Sequence, residues 1–357
     1  MRAVRITANI GKRDTVKAVR VMRHGPPLDV VEVGDIPIPD VPAGHVRVQV
    51  AAASLNFGDI ARCKGGVASA MTPPPFTLGM DVCGVVESAG SGMEHWLGKR
   101  VVAITVQSFG GMAEYAVANI LFDAPPELSD AEAAAFTLPF HTAYLGLHKR
   151  ARLQAGETLL VVGGATSLGT AAIQLGVAAG ARVIALAGGP AKGELCLELG
   201  AELAIDYDTD DVFDRVMAHT NGHGAEVVFD MIGGERTETM WTCVAHDGRY
   251  VPVGFNDDAQ SGLTGKPLRK VSMGNFSVVG VILAYGPVPL AMRRFGINPF
   301  PSEVGSEVHG ALRELIAAGV IRPTIGKQIP MSAVAQALDD HDQRRTSGRT
   351  VVDVAGS

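Results

Sequence analysis

The chain has 357 residues, 47% of them hydrophobic, and a formal net charge of −6. This is length enough for two domains, and the balance excludes a disordered or collagen-like chain and gives no basic excess of the kind that binds nucleic acid. No run approaches the ~18 apolar residues that span a bilayer. The opening MRAVRITANIGKRD lacks a signal-peptide apolar centre, and Cys63, Cys83, Cys196 and Cys243 are far apart with no CxxC pair. A disulfide scaffold and a cysteine-rich structural zinc site are therefore not expected, and a reducing cytoplasm is.

In chain order, Val4, Ile6, Ala8 and Ile10 alternate with polar residues and predict an extra N-terminal strand. Val16–Met22 and Val46–Ala52 read as strands on either side of a proline-rich stretch, and Asp81–Glu87, Arg100–Thr105 and Ala113–Val117 add short β pieces. Together they predict a compact β-rich domain. Ala131–Phe136 and His141–Leu147 then turn helical.

Glu157–Tyr207 reads as strand, glycine-rich turn, helix, strand, helix, strand, the mononucleotide-binding βαβ pattern. Small residues at Gly163, Gly164, Ala165, Thr166, Ser167 and Gly169 let the backbone approach a pyrophosphate, whose charge is met by the N–H groups opening the helix. The GxGxxG spelling is broken, since Thr166 stands at the middle glycine. NAD-specific sites place a carboxylate about 20 residues on, for the ribose 2′-hydroxyl. Here the strand Arg182–Ala187 is followed by Gly188, Gly189, Pro190, Ala191 and Lys192, with no acid before Glu194. A lysine without a carboxylate suits a 2′-phosphate and favours NADPH, although Lys192 also reads as an ordinary solvated lysine at a helix start.

Beyond Tyr207 the alternation continues: helix Asp211–Thr220, strand Ala225–Met231, helix Glu235–Val244, strand Arg249–Val253 and strand Ser277–Leu283. This predicts a doubly wound parallel sheet with ligand at the carboxyl ends of its strands, where Gly233, Gly254 and Phe255 fall. The stretches 256–275 and 284–303 are long enough to line a pocket or to be surface excursions. Glu307–Ala318 is an amphipathic helix, and the tail carries a helix, Ala333–Leu338, and a last strand, Arg349–Val354.

With these elements placed, the chain resembles the zinc-independent branch of the medium-chain dehydrogenase/reductase superfamily, the quinone oxidoreductase and enoyl reductase group. The resemblance rests on VKAVRVMRHG, AAASLNFGDI, FTLGMDVCGVVESAG, FGGMAEYAV, HTAYLGL, the βαβ stretch, FDMIGG and SGRTVVDV, in that order. It implies a GroES-like substrate domain from both chain ends (1–140 and 320–357), a Rossmann domain between them (141–319), an active site in the cleft and a homodimer joined along Ser277–Leu283. It also argues against catalytic zinc. Asn56 and Met80-Asp81 stand where the alcohol dehydrogenase branch carries a metal-binding cysteine and a His-Glu pair, and neither Asn56 nor Met80 replaces a thiolate or imidazole.

By the same resemblance Asn56 faces nicotinamide and substrate as a hydrogen-bond donor, Thr142 lies near the nicotinamide, and Asp59 is catalytic or structural. Thr166, Ser167, Leu168 and Gly169 match the phosphate turn, Lys192 and Tyr207 the 2′-phosphate side, and Arg349 a basic residue that approaches the cofactor. The plainer readings are a solvated arginine at a strand start for Arg349, a loop-stabilising residue for Asn56 and, for His141, a single packed histidine rather than an acid. Tyrosines found shortly after the asparagine in some members are replaced by Ala61 and Val67, which leaves solvent as the proton source. The expectation is an NADPH-dependent, zinc-free reductase of a quinone or an α,β-unsaturated carbonyl. The alternatives are a non-catalytic NADPH-binding protein and a zinc-free alcohol dehydrogenase.

Overall fold

The computed structural model describes residues 4–5, 14–65, 73–105, 110–253, 268–287, 290–294 and 296–356. Among the described residues seventeen strands follow in chain order: β1 (Val4–Arg5), β2 (Thr15–Val21), β3 (Val31–Pro37), β4 (Val46–Ser54), β5 (Phe76–Thr77), β6 (Asp81–Ala89), β7 (Arg100–Ile104), β8 (Tyr115–Ala118), β9 (Ile120–Asp123), β10 (Thr158–Val162), β11 (Arg182–Ala187), β12 (Leu203–Asp206), β13 (Ala225–Asp230), β14 (Val244–Pro252), β15 (Ser277–Val278), β16 (Ile325–Pro330) and β17 (Arg349–Asp353). They divide between two compact units, Met1–Leu138 with Pro323–Ser357, and Pro139–Arg322.

The first unit is β-rich. An eight-stranded sheet runs β16-β17-β4-β6-β7-β9, with β1 on β6 and β8 on β4, beside a three-stranded sheet β3-β2-β5. The C-terminal strand β17 pairs antiparallel with β4, Val351 opposite Ser54, so the two ends of the chain share one sheet. Val48, Val50, Val82, Val86, Val101, Leu338 and Val352 meet in its buried core. Of the N-terminal alternation, Val4–Arg5 forms a strand paired with β6; residues 6–13 lie outside the described residues.

In the second unit every strand pairing among the described residues is parallel and the strand order is β12-β11-β10-β13-β14-β15. This is a doubly wound nucleotide-binding sheet with β10 at the reversal of order. Strands buried on both faces need unbroken apolar runs. TLLVV of β10 is buried at all five residues, and β11 is buried from Val183 to Ala187. Two predicted elements change. β14 begins at Val244, inside the expected helix, which ends at Thr242. β15 is only Ser277–Val278, because its single neighbour β14 pairs with it at two residues, and Leu283 lies beyond the strand.

Candidate active site

In the second unit β10 ends at Val162 and the helix Ser167–Ala178 begins five residues later. Gly163 takes φ +91°, a left-handed conformation that glycine adopts without strain. Gly169 packs the helix onto the turn: a Cβ there would lie 2.2 Å from the Gly163 carbonyl oxygen and 2.6 Å from that of Gly164. Thr166 is the helix N-cap. Its Oγ1 accepts from the Gly169 N–H at 3.0 Å and donates to the Gly163 carbonyl at 2.8 Å, so the residue that breaks the glycine spelling ties the turn to the helix. Ala165 is buried beneath the turn, and Ser167 and Leu168 open the helix, where backbone N–H groups lack intrahelical partners.

The turn meets the end of β13. Ile232 lies against Gly163, and Met231 Sδ is 3.6 Å from Thr166 Oγ1. Asp230, buried at that strand end, accepts from the N–H groups of Ile232 (2.8 Å) and Gly233 (2.9 Å) and from the Tyr250 hydroxyl (2.7 Å). Burial raises its carboxyl above the ordinary range. The sequence reading included Gly233 and overlooked Asp230, the group that shapes the turn. Gly254 and Phe255 lie outside the described residues.

At the end of β11, Gly188 lies against Tyr207: a Cβ at Gly188 would be 2.6 Å from the Tyr207 hydroxyl and 3.1 Å from Asp208 Oδ2. Arg236 stacks over the Tyr207 ring, 4.8 Å to its centroid, donates to the Tyr207 carbonyl at 3.1 Å and stands 3.9 Å from Asp208. Lys192 sits on the helix Pro190–Glu198 that starts just after this turn. The missing carboxylate is therefore only a local absence, since Asp208 arrives from the end of the next strand together with the cation Arg236. Neither residue was predicted.

In the first unit Asn56 caps the helix Phe57–Cys63 and is 4% exposed. Its Oδ1 accepts from Arg349 Nη2 at 2.7 Å, while Nδ2 donates to Asp81 Oδ1 at 2.9 Å and, more weakly, to the Ser54 carbonyl at 3.3 Å. The partners fix which end is oxygen, because a guanidinium only donates and a carboxylate only accepts. Arg349 Nη2 also reaches Asp81 Oδ2 at 2.8 Å and Ser54 Oγ at 2.7 Å. The solvated reading of Arg349 is thus overturned: it is 5% exposed and ion-paired with Asp81, from the strand beside β4. Asp59 uses both oxygens on backbone donors, Oδ2 from Asn56 N–H at 2.9 Å and Oδ1 from Gly79 N–H at 3.1 Å. Burial pushes its pKa up to about 6 against these bonds. Among the described residues no three His, Cys, Asp or Glu side chains are grouped to hold a metal.

Thr142 is buried on the helix Thr137–Tyr144. Its neighbour His141 is not a lone packed histidine, because Nδ1 lies 2.9 Å from the Tyr285 hydroxyl and Nε2 3.2 Å from His309 Nδ1. No sequence signal linked these three residues.

A parallel sheet of this order with a glycine turn at its reversal, in a chain with a discontinuous β-rich unit, is a nucleotide-binding architecture. The model of the alcohol dehydrogenase GroES-like domain matches residues 42–124, and that of the zinc-binding dehydrogenase matches residues 167–295. The quinone oxidoreductase-like protein 2 homolog of Nematostella vectensis is 34% identical over 75% of this chain and 73% of its own. Among solved structures, an NAD-dependent alcohol dehydrogenase is 29% identical with TM-score 0.81, over 95% of this chain and 99% of its own. A mycobacterial protein complexed with NADPH is 25% identical with TM-score 0.81, over 94% of this chain and 99% of its own. The chain belongs to the medium-chain dehydrogenase/reductase superfamily, in its quinone oxidoreductase group.

Proposed function

We propose that this protein is an NADPH-dependent reductase of a quinone or of the activated C=C bond of an α,β-unsaturated carbonyl, working without zinc, with 139–322 as the nucleotide-binding domain and 1–138 with 323–357 as the substrate domain. The observation that carries the reading is the Gly163–Gly169 turn, where Gly169 leaves no room for a side chain and Thr166 locks the backbone at a helix start. A dinucleotide pyrophosphate fits that backbone surface. Gly163 to Gly169 would hold the pyrophosphate; Gly188, Lys192, Tyr207 and Arg236 would hold the ribose phosphate, Gly233 would line the strand end, Thr142 would flank the nicotinamide, and Gly254 and Phe255 are kept as cofactor contacts on the sequence alone. Bound NADPH supplies a hydride.

Asn56 steadies the developing oxygen of the substrate. Its long contact to the Ser54 carbonyl is the one a substrate oxygen displaces, while Arg349 and Asp81 hold the amide in place. Arg349 and Asp59 are positioning residues in this account, Arg349 through Asn56 and Asp59 through the backbone of Asn56 and Gly79. Asn56 and Met80 lack the donor chemistry of a catalytic zinc site, which disfavours alcohol oxidation. The reading is tested by NADPH consumption against quinones, enones and enoyl thioesters. Turnover with at least one class is expected, and none with any class rejects it.

A second reading, oxidation of an alcohol with NAD, is favoured by one observation, the Asp208 carboxylate beside Gly188, which suits an unphosphorylated ribose. Activity confined to the oxidative direction with NAD would select it. The edge strand β15, with Val278 exposed, and Ile282, exposed just beyond it, form the proposed joint to a second copy. A monomer in light scattering rejects that joint. A reducing cytoplasm suits the four buried free cysteines, and no helix among the described residues is long and apolar enough to cross a membrane.

A further inference from the structure

Tyr285, His141 and His309 form a row in the second unit that the cofactor turn does not need. His141 is fully buried and His309 is 5% exposed. The three come from separate elements, His141 from the helix Thr137–Tyr144, Tyr285 from the segment after β15 and His309 from the helix Ser302–Ala317. Tyr285 is held by a backbone bridge to Phe300, and its ring lies over Gly305, where a Cβ would come within 3.1 Å. Two buried imidazoles are a costly way to fill space that apolar side chains fill without desolvation. Burial and the neighbouring ring keep His141 neutral. A neutral imidazole has one proton and one lone pair, so the row can be ordered in either direction, and switching between the two moves one proton along it without leaving a charge inside.

The row also lies on the ligand side of the sheet. The helix bearing His141 continues as a π-helical turn, Leu145–Arg150, in which Gly146 sits against Phe229 near the end of β13. Further on, the Ala151 carbonyl accepts from Arg249, which is level with Val227. The helix therefore runs toward the amino edge of the sheet. His141, five residues before Gly146 and about 7 Å back along the axis, lies past the carboxyl end of β13, where parallel sheets hold their ligands.

We propose that Tyr285 delivers the proton that completes reduction of the substrate, reloaded through His141 and His309; this rests on the reductase reading above. After the two-electron reduction by the nicotinamide cofactor, the Tyr285 O–H bond breaks as a C–H bond, or the O–H bond of a quinol, forms on the substrate anion. The Nδ1 proton of His141 passes to the tyrosine oxygen, the Nδ1 proton of His309 passes to His141 Nε2, and water protonates His309 Nε2. One proton enters from solvent as one is delivered, which leaves both imidazoles in the opposite order, and they turn back before the next delivery.

The test is Tyr285→Phe, which keeps the ring over Gly305. Calorimetric NADPH affinity is expected to stay within about twofold, kcat to fall ~100-fold, and the solvent deuterium isotope effect to grow as protonation becomes slow. In the parent protein, proton NMR is expected to show exchange-protected imidazole N–H signals that shift in the variant. His309→Gln keeps a partner for His141 but cannot relay, so it is expected to lower kcat without changing KM, and this variant decides the matter if Tyr285→Phe fails to fold. Parent kcat and isotope effect in Tyr285→Phe, or parent kcat in His309→Gln, overturn the proton row alone. A parent protein that binds NADPH and oxidises it with no acceptor overturns the reductase reading and this inference with it.

Discussion

Arg349 Nη2 lies 2.7 Å from Asn56 Oδ1 across 293 positions of sequence, because β17 closes the sheet beside β4. The same nitrogen neutralises Asp81, so three buried polar groups depend on one guanidinium. Arg349→Met leaves the Asp81 charge buried and unpaired and is expected to cost about 3–5 kcal/mol in urea unfolding. Adding Asp81→Leu should restore part of that loss. A single variant as stable as the parent would show that the network holds nothing.

Asp59 makes the first unit sensitive to mild acid in an unusual direction. Its folded pKa of about 6 stands above the ordinary 3.8, so the folded state binds the proton more tightly than the unfolded one. Its contribution is fully present below pH ~4 and is lost as pH rises to about 6, by at most ~3 kcal/mol. Asp59→Asn is expected to remove that slope from a plot of unfolding free energy against pH, whatever it does to the overall level. An unchanged slope would assign it to other groups.

The glycine turn predicts a graded series. Thr166→Ala removes the cap and should cost about 1 kcal/mol, whereas Thr166→Gly, which restores the usual spelling, should cost a few tenths. Gly169→Ala drives a Cβ toward two carbonyl oxygens of the turn, is expected to cost more than ~2 kcal/mol and should abolish NADPH binding. Thermal melting and calorimetry read both effects, and a Gly169→Ala protein that binds normally would exclude this turn as the pyrophosphate site.

The proposed 2′-phosphate site around Gly188 predicts a cofactor preference. Lys192→Ala and Arg236→Ala are each expected to weaken NADPH about tenfold and NADH little, while Asp208→Asn should strengthen NADPH by removing a carboxylate beside the phosphate. Equal effects on the two cofactors would remove these residues from the 2′-phosphate site.

The nucleotide-binding sheet was legible because buried parallel strands such as Thr158–Val162 are continuous apolar runs and the helix Ser167–Ala178 follows at once. β3, in contrast, was hidden in a proline-rich stretch, and its exposed and half-buried residues lie at a sheet edge, paired with β2. The unforeseen pairings share one cause. Arg349 with Asp81, Arg236 with Asp208 and His141 with Tyr285 and His309 are partners brought together by tertiary folding, and no local periodicity records such pairs. Thr166 was visible as an exception in the sequence, and only its two hydrogen bonds supply the reason.

The central claim is metal-free reduction driven by NADPH. Its most direct test is the rate of NADPH consumption by chelator-treated protein with an enone or quinone acceptor, set beside alcohol oxidation with NADP+. The account expects consumption in the reductive direction at the same rate before and after chelation. A rate abolished by the chelator, or turnover only of the alcohol, would contradict it.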